Sequence, residues 1–196
     1  MKILFATGGT GGHINPALAV ASRIRDTYGD SAEILFIGTP DHMEARLVPN
    51  AGFDFKTIRI SGFQRSFTPA SIVKNIRTLI WTLTSSNAAK KIIAEFQPDV
   101  VVGFGGYVSG PVLRKAHKMG IPIAVHEQNA FPGVTNKALA KYAEVVMLTS
   151  EDAGDRIECL NEPVITGLPV RDELFKTSRA EARTILGVDP AKPLIL

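Results

Sequence analysis

KILFATGGTGGHINPALAVA, residues 2–21, joins a short apolar run to four glycines within five residues and then to a helical pattern. Lys2 to Thr7 reads as a strand. Gly8-Gly9-Thr10-Gly11-Gly12-His13 reads as a turn, and Asn15 with Pro16 predicts the N-cap and first position of a helix running to about Tyr28. A glycine turn between a strand and a helix presents backbone N–H groups and the positive end of the helix dipole, an arrangement that holds a phosphate. It is not the dinucleotide fingerprint, because Ile14 stands where the third glycine belongs, and no Gly-Lys-Ser/Thr closes it as in a P-loop. A nicotinamide enzyme and a P-loop NTPase therefore both lose ground. Four glycines also exceed what a bare turn requires, which favours anion binding over a turn without a ligand.

Outward from this stretch, short apolar runs and helical patterns keep alternating. Strands are predicted at Glu33 to Gly38, about Asp54 to Ile60, Val100 to Gly103, Pro122 to His126 and Val145 to Leu148. Between them the pattern predicts helices at His42 to Val48, Pro69 to Phe96, Pro111 to Met119 and Val134 to Tyr142. That rhythm specifies the α/β class, with a Rossmann-like parallel sheet flanked by helices through right-handed crossovers. Thr166-Gly167-Leu168-Pro169 reads as a linker, and Ser178 with Glu181 predicts a capping box opening a helix to Leu186. The chain thus divides into a domain over 1–165 and a segment over 166–196. The apolar run Leu194-Ile195-Leu196 reads as the first strand of a further domain.

Composition removes other classes. With 45% hydrophobic residues and a net charge of only +3, the chain lies far from disordered composition, and one cysteine, Cys159, excludes an internal disulfide framework and favours a reducing compartment. The N-terminal apolar run is too short for a signal peptide, and no window approaches the roughly 20 apolar residues of a membrane span. The expectation is a cytoplasmic protein. The small net charge conceals an asymmetry: residues 55–94 hold seven Lys or Arg and no acid, so the remainder is net negative. Phe63, Arg65, Phe67, Ile72, Lys74, Ile76, Arg77, Leu79, Ile80 and Trp81 mix basic and large apolar groups at helical spacing. Such a mixture suits an anionic bilayer surface, although an amphipathic core helix with a solvated basic face is the commoner cause. Nothing in the run resembles a nucleic-acid recognition motif.

Two more loops follow predicted strands: GFGGYVSGP, residues 103–111, and HEQN, residues 126–129, running on through Gly133 to Thr135-Asn136. In a parallel sheet all three loops open on one edge, where ligands bind. His13, Tyr107, Ser109, His126, Glu127, Gln128, Asn129 and Asn136 are therefore predicted to line a polar cleft. His13 follows the anion loop directly, so a neutral imidazole there could take a proton from a sugar hydroxyl while the loop holds an adjacent phosphate. Glu127 is the rival base, and His126 suits a structural role. No HExxH and no cysteine pair suggests a metal, and backbone dipoles can neutralise a phosphate without one, so neither metal nor cofactor is expected.

GGTGGHINPALAVA (8–21), GFGGYVSGP, HEQN with Thr135-Asn136-Lys137, and TGLPVR (166–171) together resemble the MurG family of peptidoglycan N-acetylglucosaminyltransferases, glycosyltransferase family 28. The resemblance extends over nearly the whole chain, in order; this chain carries Leu168 where the family usually has Asn. It implies the GT-B fold, two Rossmann-like domains facing a cleft, with this chain as the N-terminal half and the opening of the second. It implies inverting transfer of N-acetylglucosamine from UDP-N-acetylglucosamine to the muramyl 4-hydroxyl of undecaprenyl-pyrophosphoryl-muramyl-pentapeptide, lipid I, giving lipid II. Carried over, Gly9, Thr10, Gly11, Gly12, Tyr107, Ser109, Asn129 and Asn136 hold the acceptor, His13 and Glu127 are the candidate bases, and Arg171 lies on the donor side of the cleft. A lipid-anchored acceptor also promotes the basic, apolar face of residues 63–81 to a peripheral contact with the inner face of a bacterial membrane. Two other classes stay open: a non-catalytic, membrane-anchoring acceptor subunit of a split GT-B enzyme, and a sugar-nucleotide epimerase of the same fold.

Overall fold

The structure, a computed structural model, describes residues 1–60, 84–189 and 192–194. The chain builds one seven-stranded sheet, all parallel, from β1 (Lys2–Ala6), β2 (Glu33–Gly38), β3 (Asp54–Thr57), β4 (Val100–Gly103), β5 (Ile123–Glu127), β6 (Val145–Leu148) and β7 (Val164–Ile165). The order is β3-β2-β1-β4-β5-β6-β7, so the chain winds outward from β1 in one direction and then from β4 in the other. The crevice between the C-terminal ends of β1 and β4 is the point where that order reverses, the place where ligands bind in open sheets of this kind.

The helices are α1 (Gly11–Tyr28), α2 (Glu44–Asn50), α3 (84–96 within the described residues), α4 (Gly106–Lys118), α5 (Val134–Ala140), α6 (Glu173–Lys176) and α7 (Arg179–Ile185). Period-two alternation along β1 divides the core between the two faces of the sheet. Leu4 and Ala6 join Ala89, Ile93, Val112, Leu113 and Leu139 on the face covered by α3, α4 and α5. Ile3 and Phe5 join Ile14, Ala17, Leu18, Phe36 and Phe104 on the face covered by α1 and α2, with the Phe5 ring stacked on Phe36 at 4.9 Å and on Phe104 at 5.9 Å. Four consecutive buried residues, Ile3 to Ala6, fit only a strand covered on both sides, and burying one large side chain contributes about 1.5–3 kcal/mol. Among the described residues no helix is long and apolar enough to cross a membrane.

The helix starts differ from those read in the sequence. α1 begins at Gly11 rather than Pro16, with Thr10 rather than Asn15 in the N-cap position, and α4 begins at Gly106 rather than Pro111. α2 runs through Pro49 instead of stopping before it. In α1, α2 and α4 alike, proline is the sixth helical residue. A proline suits the first helical position because it has no N–H to leave unpaired, but here glycines that carry no periodic signal form the first turns of α1 and α4. β3 ends at Thr57, β5 is displaced by one residue to Ile123–Glu127, and α5 stops at Ala140. β7 has no counterpart in the sequence pattern, since two residues give no apolar run. The capping box of Ser178 and Glu181 forms as expected. The predicted helix from Pro69, up to residue 83, and all ten residues of the predicted membrane face lie outside the described residues.

Candidate active site

The loops after β1, β4 and β5 meet at one glycine. Gly105 follows β4 with φ 89°, and a Cβ added to it would fall 3.0 Å from His13 Cδ2, 3.1 Å from His13 Nε2 and 3.5 Å from Asn136 Nδ2. Side chains from the first turns of α1 and α5, which follow the first and third loops, thus lie against the backbone of the second. The next residue closes the gap further. A Cβ on Gly106 (φ 77°) would fall 2.3 Å from the Gly8 carbonyl oxygen, so only glycine lets the start of α4 approach the β1 loop this closely.

His13 occupies the third position of α1 and is half-buried, with Nδ1 3.2 Å from the Thr10 hydroxyl. That contact fixes the ring and leaves Nε2 on the Gly105 side. Gly11 and Gly12 are the first two helical residues, whose amides have no carbonyl one turn back. Gly9 differs from the anion-binding expectation: its N–H donates inward to the Glu44 carboxylate at 3.1 Å. The amides of Gly11 and Gly12, at the start of α1, stay available to an anion.

Glu127, at the end of β5, is buried and accepts four N–H bonds. Asn129 gives its backbone amide and its Nδ2 to Oε1, while Gly133 N–H and Asn136 Nδ2 reach Oε2, each at 2.9 Å. The carboxylate thereby folds the third loop around itself and aims Asn136 at Gly105. Ser109 is fully buried, its hydroxyl 2.6 Å from the Gly105 carbonyl and 2.9 Å from that of Ala6. It ties α4 to β1 and presents no exposed polar atom to a ligand, contrary to its predicted place in the acceptor set. Tyr107 and Asn129 are exposed at the rim. Arg171 is exposed beyond β7, apart from these contacts.

His126 is buried and stacked on Phe104 at 5.3 Å. Its Nδ1 accepts from Gln128 Nε2 at 3.1 Å, which places the proton on Nε2, and Nε2 donates to the Gly167 carbonyl at 3.1 Å. Burial pushes its pKa below the ordinary 6.5, outweighing the opposing pull of the Gly167 carbonyl and Glu127. His126 therefore ties the third loop to the segment leaving β7. Three buried atoms, Thr7 Oγ1, Gln128 Oε1 and Asn136 Oδ1, have no hydrogen-bond partner among the described residues. All three belong to segments at the C-terminal edge of the sheet, and leaving such an atom unpaired costs about 1–3 kcal/mol. Among the described residues no cluster of His, Cys, Asp or Glu is arranged to hold a metal.

Sequence reasoning missed Glu44 and the pairing of Gln128 with His126. The loop after β2 lacks the glycine signal of the others, although Thr39 with an acid five residues on stands at the same sheet edge.

A doubly wound parallel sheet with interlocked glycine loops at its switch point defines a Rossmann-like α/β domain. Residues 3–148 match the glycosyltransferase family 28 N-terminal domain, and the chain belongs to that family. It is 44% identical, over all 196 residues, to a protein of Thermoanaerobacter sp. (strain X514) named UDP-N-acetylglucosamine--N-acetylmuramyl-(pentapeptide) pyrophosphoryl-undecaprenol N-acetylglucosamine transferase, and covers 52% of it. A protein of Acetivibrio thermocellus with the same name is 45% identical over all of this chain and 52% of its own length. The crystal structure of Acinetobacter baumannii MurG superposes with a TM-score of 0.68 at 32% identity, over 84% of this chain and 44% of that one. The chain thus spans about half the length of the curated relatives it matches.

Proposed function

We propose that this chain is the acceptor-binding half of an inverting N-acetylglucosaminyltransferase that converts lipid I to lipid II with UDP-N-acetylglucosamine as donor. The observation that carries the reading is the meeting of His13, Gly105 and Asn136 at the switch point, beside the free amides of Gly11 and Gly12. Those amides and the positive end of α1 suit the acceptor's pyrophosphate.

In the proposed step the muramyl 4-hydroxyl oxygen attacks the anomeric carbon of the donor. A new C–O bond forms, the bond from that carbon to the UDP oxygen breaks, and UDP leaves with the electron pair. The hydroxyl proton passes to His13 Nε2. We assign the base to His13 rather than Glu127 because both Glu127 oxygens already accept two N–H bonds each, which suits a residue that shapes the loop. The donor contacts, including any made by Arg171, belong to the cleft with the remaining half of the protein. Contact with an anionic membrane through residues 63–81 rests on the sequence pattern.

The test is transfer of labelled N-acetylglucosamine from UDP-N-acetylglucosamine to a lipid I analogue by the full-length polypeptide, with the product's linkage and anomeric configuration determined. An inverted, 4-linked product is expected. Conversion of UDP-N-acetylglucosamine to UDP-N-acetylmannosamine with no transfer would favour epimerase chemistry instead.

A further inference from the structure

Glu44 opens α2 and is fully buried, yet no Lys, Arg or His among the described residues pairs with it. Three neutral donors compensate its charge. Oε1 accepts the Thr39 amide at 3.0 Å and the Thr39 hydroxyl at 2.6 Å, and Oε2 accepts the Gly9 amide at 3.1 Å. Thr39 follows β2 and Gly9 lies in the loop after β1, so one carboxylate bridges the ends of two neighbouring strands beside the switch point. The fit is close on both sides. A Cβ on Gly8 would fall 2.5 Å from Oε1, and one on Gly38 would fall 2.5 Å from Glu44 Cγ. The Glu44 side chain, joined at Gly38 by the Phe55 ring, thus fills the space that side chains at these two glycines would need.

We propose that Glu44 is a positioning residue for the transfer reaction: it holds the Gly8-Gly9 turn, and through it the first turn of α1 and His13, against Gly105. The proposal rests on the functional reading above, which assigns this loop to the acceptor. An acid is required because all three partners are donors. Glutamine has the same shape but one acceptor oxygen, so either orientation of its amide sets an NH₂ group against the Thr39 or the Gly9 N–H. Drawing the Gly9 amide inward also removes it from the loop's anion-binding amides, so Glu44 affects which donors the acceptor meets.

The test combines amide exchange, read by NMR on full-length protein labelled with ¹⁵N-glycine, with steady-state kinetics. In the wild type the Gly9 amide exchanges at least about tenfold more slowly than those of Gly11 and Gly12. Glu44→Gln removes that protection and lowers kcat/KM for the acceptor by about tenfold or more, while the donor KM stays within about twofold. Should Glu44→Gln not fold, Thr39→Val removes one donor and lowers acceptor kcat/KM, and Thr39→Ser restores it. Fast exchange of Gly9 in the wild type, or protection that survives Glu44→Gln, overturns the proposal and leaves the functional reading intact. Lost protection with unchanged acceptor kinetics overturns the positioning role. Absence of transfer by the wild type overturns the functional reading itself.

Discussion

Replacing Gly106 with alanine tests whether the glycine loops are interlocked, and the structure sets the size of the effect. The added Cβ would fall 2.3 Å from Gly8 O and 3.2 Å from its carbonyl carbon, atoms of a backbone already fixed by β1. The clash cannot be relieved by rotating a side chain, and overpacking of this kind costs about 1–3 kcal/mol. A φ of 77° adds about 1–2 kcal/mol for any L-residue. Together these give a loss of about 2–5 kcal/mol. Gly9 supplies the control: its φ of 92° carries the backbone strain, but an added Cβ would meet nothing within 4 Å, so Gly9→Ala loses only about 1–2 kcal/mol. For a domain of this size each kcal/mol moves Tm by about 2–4 °C, so calorimetry resolves the two variants. Equal losses would refute the interlock, because the strain alone would then account for both.

Protonation of His126 opposes folding. The unfolded chain takes up a proton near the ordinary value of 6.5 while burial keeps the folded imidazole neutral, so stability falls as pH drops below about 6.5. Urea melts of His126→Gln between about pH 7 and 5 should show a shallower decline than the wild type, and an unchanged slope counts against the buried, neutral His126. Residues 63–81 should bind anionic vesicles in a salt-dependent way, and replacing Arg65, Lys74 and Arg77 by glutamate should abolish the binding without unfolding. Equal sedimentation of wild type and triple variant would return that stretch to an ordinary solvated helix face.

The sheet was legible because the apolar run of β1 and its sisters allows only a strand buried on both faces, and strict alternation with helices forces parallel pairing. The meeting of three loops was legible for the same reason: topology carries the C-terminal ends of β1, β4 and β5 to one edge. Helix starts were not, because Gly11-Gly12 and Gly106-Tyr107 are chosen for close backbone approach, which leaves no periodic trace, while Pro16 and Pro111 imitate a start five residues late. Side-chain direction was also hidden. Ser109 and Gly9 have the chemistry of ligand contacts but spend it on Ala6, Gly105 and Glu44. Glu44 carries no signal of its own in the sequence, since its burial depends on contacts with the loops after β1 and β2 that no local pattern encodes.

The central claim is that His13 takes the acceptor's proton where the three loops meet. It is tested most directly by the kinetics of His13→Ala in the full-length polypeptide, alongside its thermal midpoint. General-base catalysis is worth about 10²–10⁴, so kcat should fall by about 100-fold or more, with donor KM nearly unchanged and little loss of stability. A near-normal kcat for His13→Ala, with the loss appearing instead in Glu127→Gln, would contradict the account and move the base to the carboxylate.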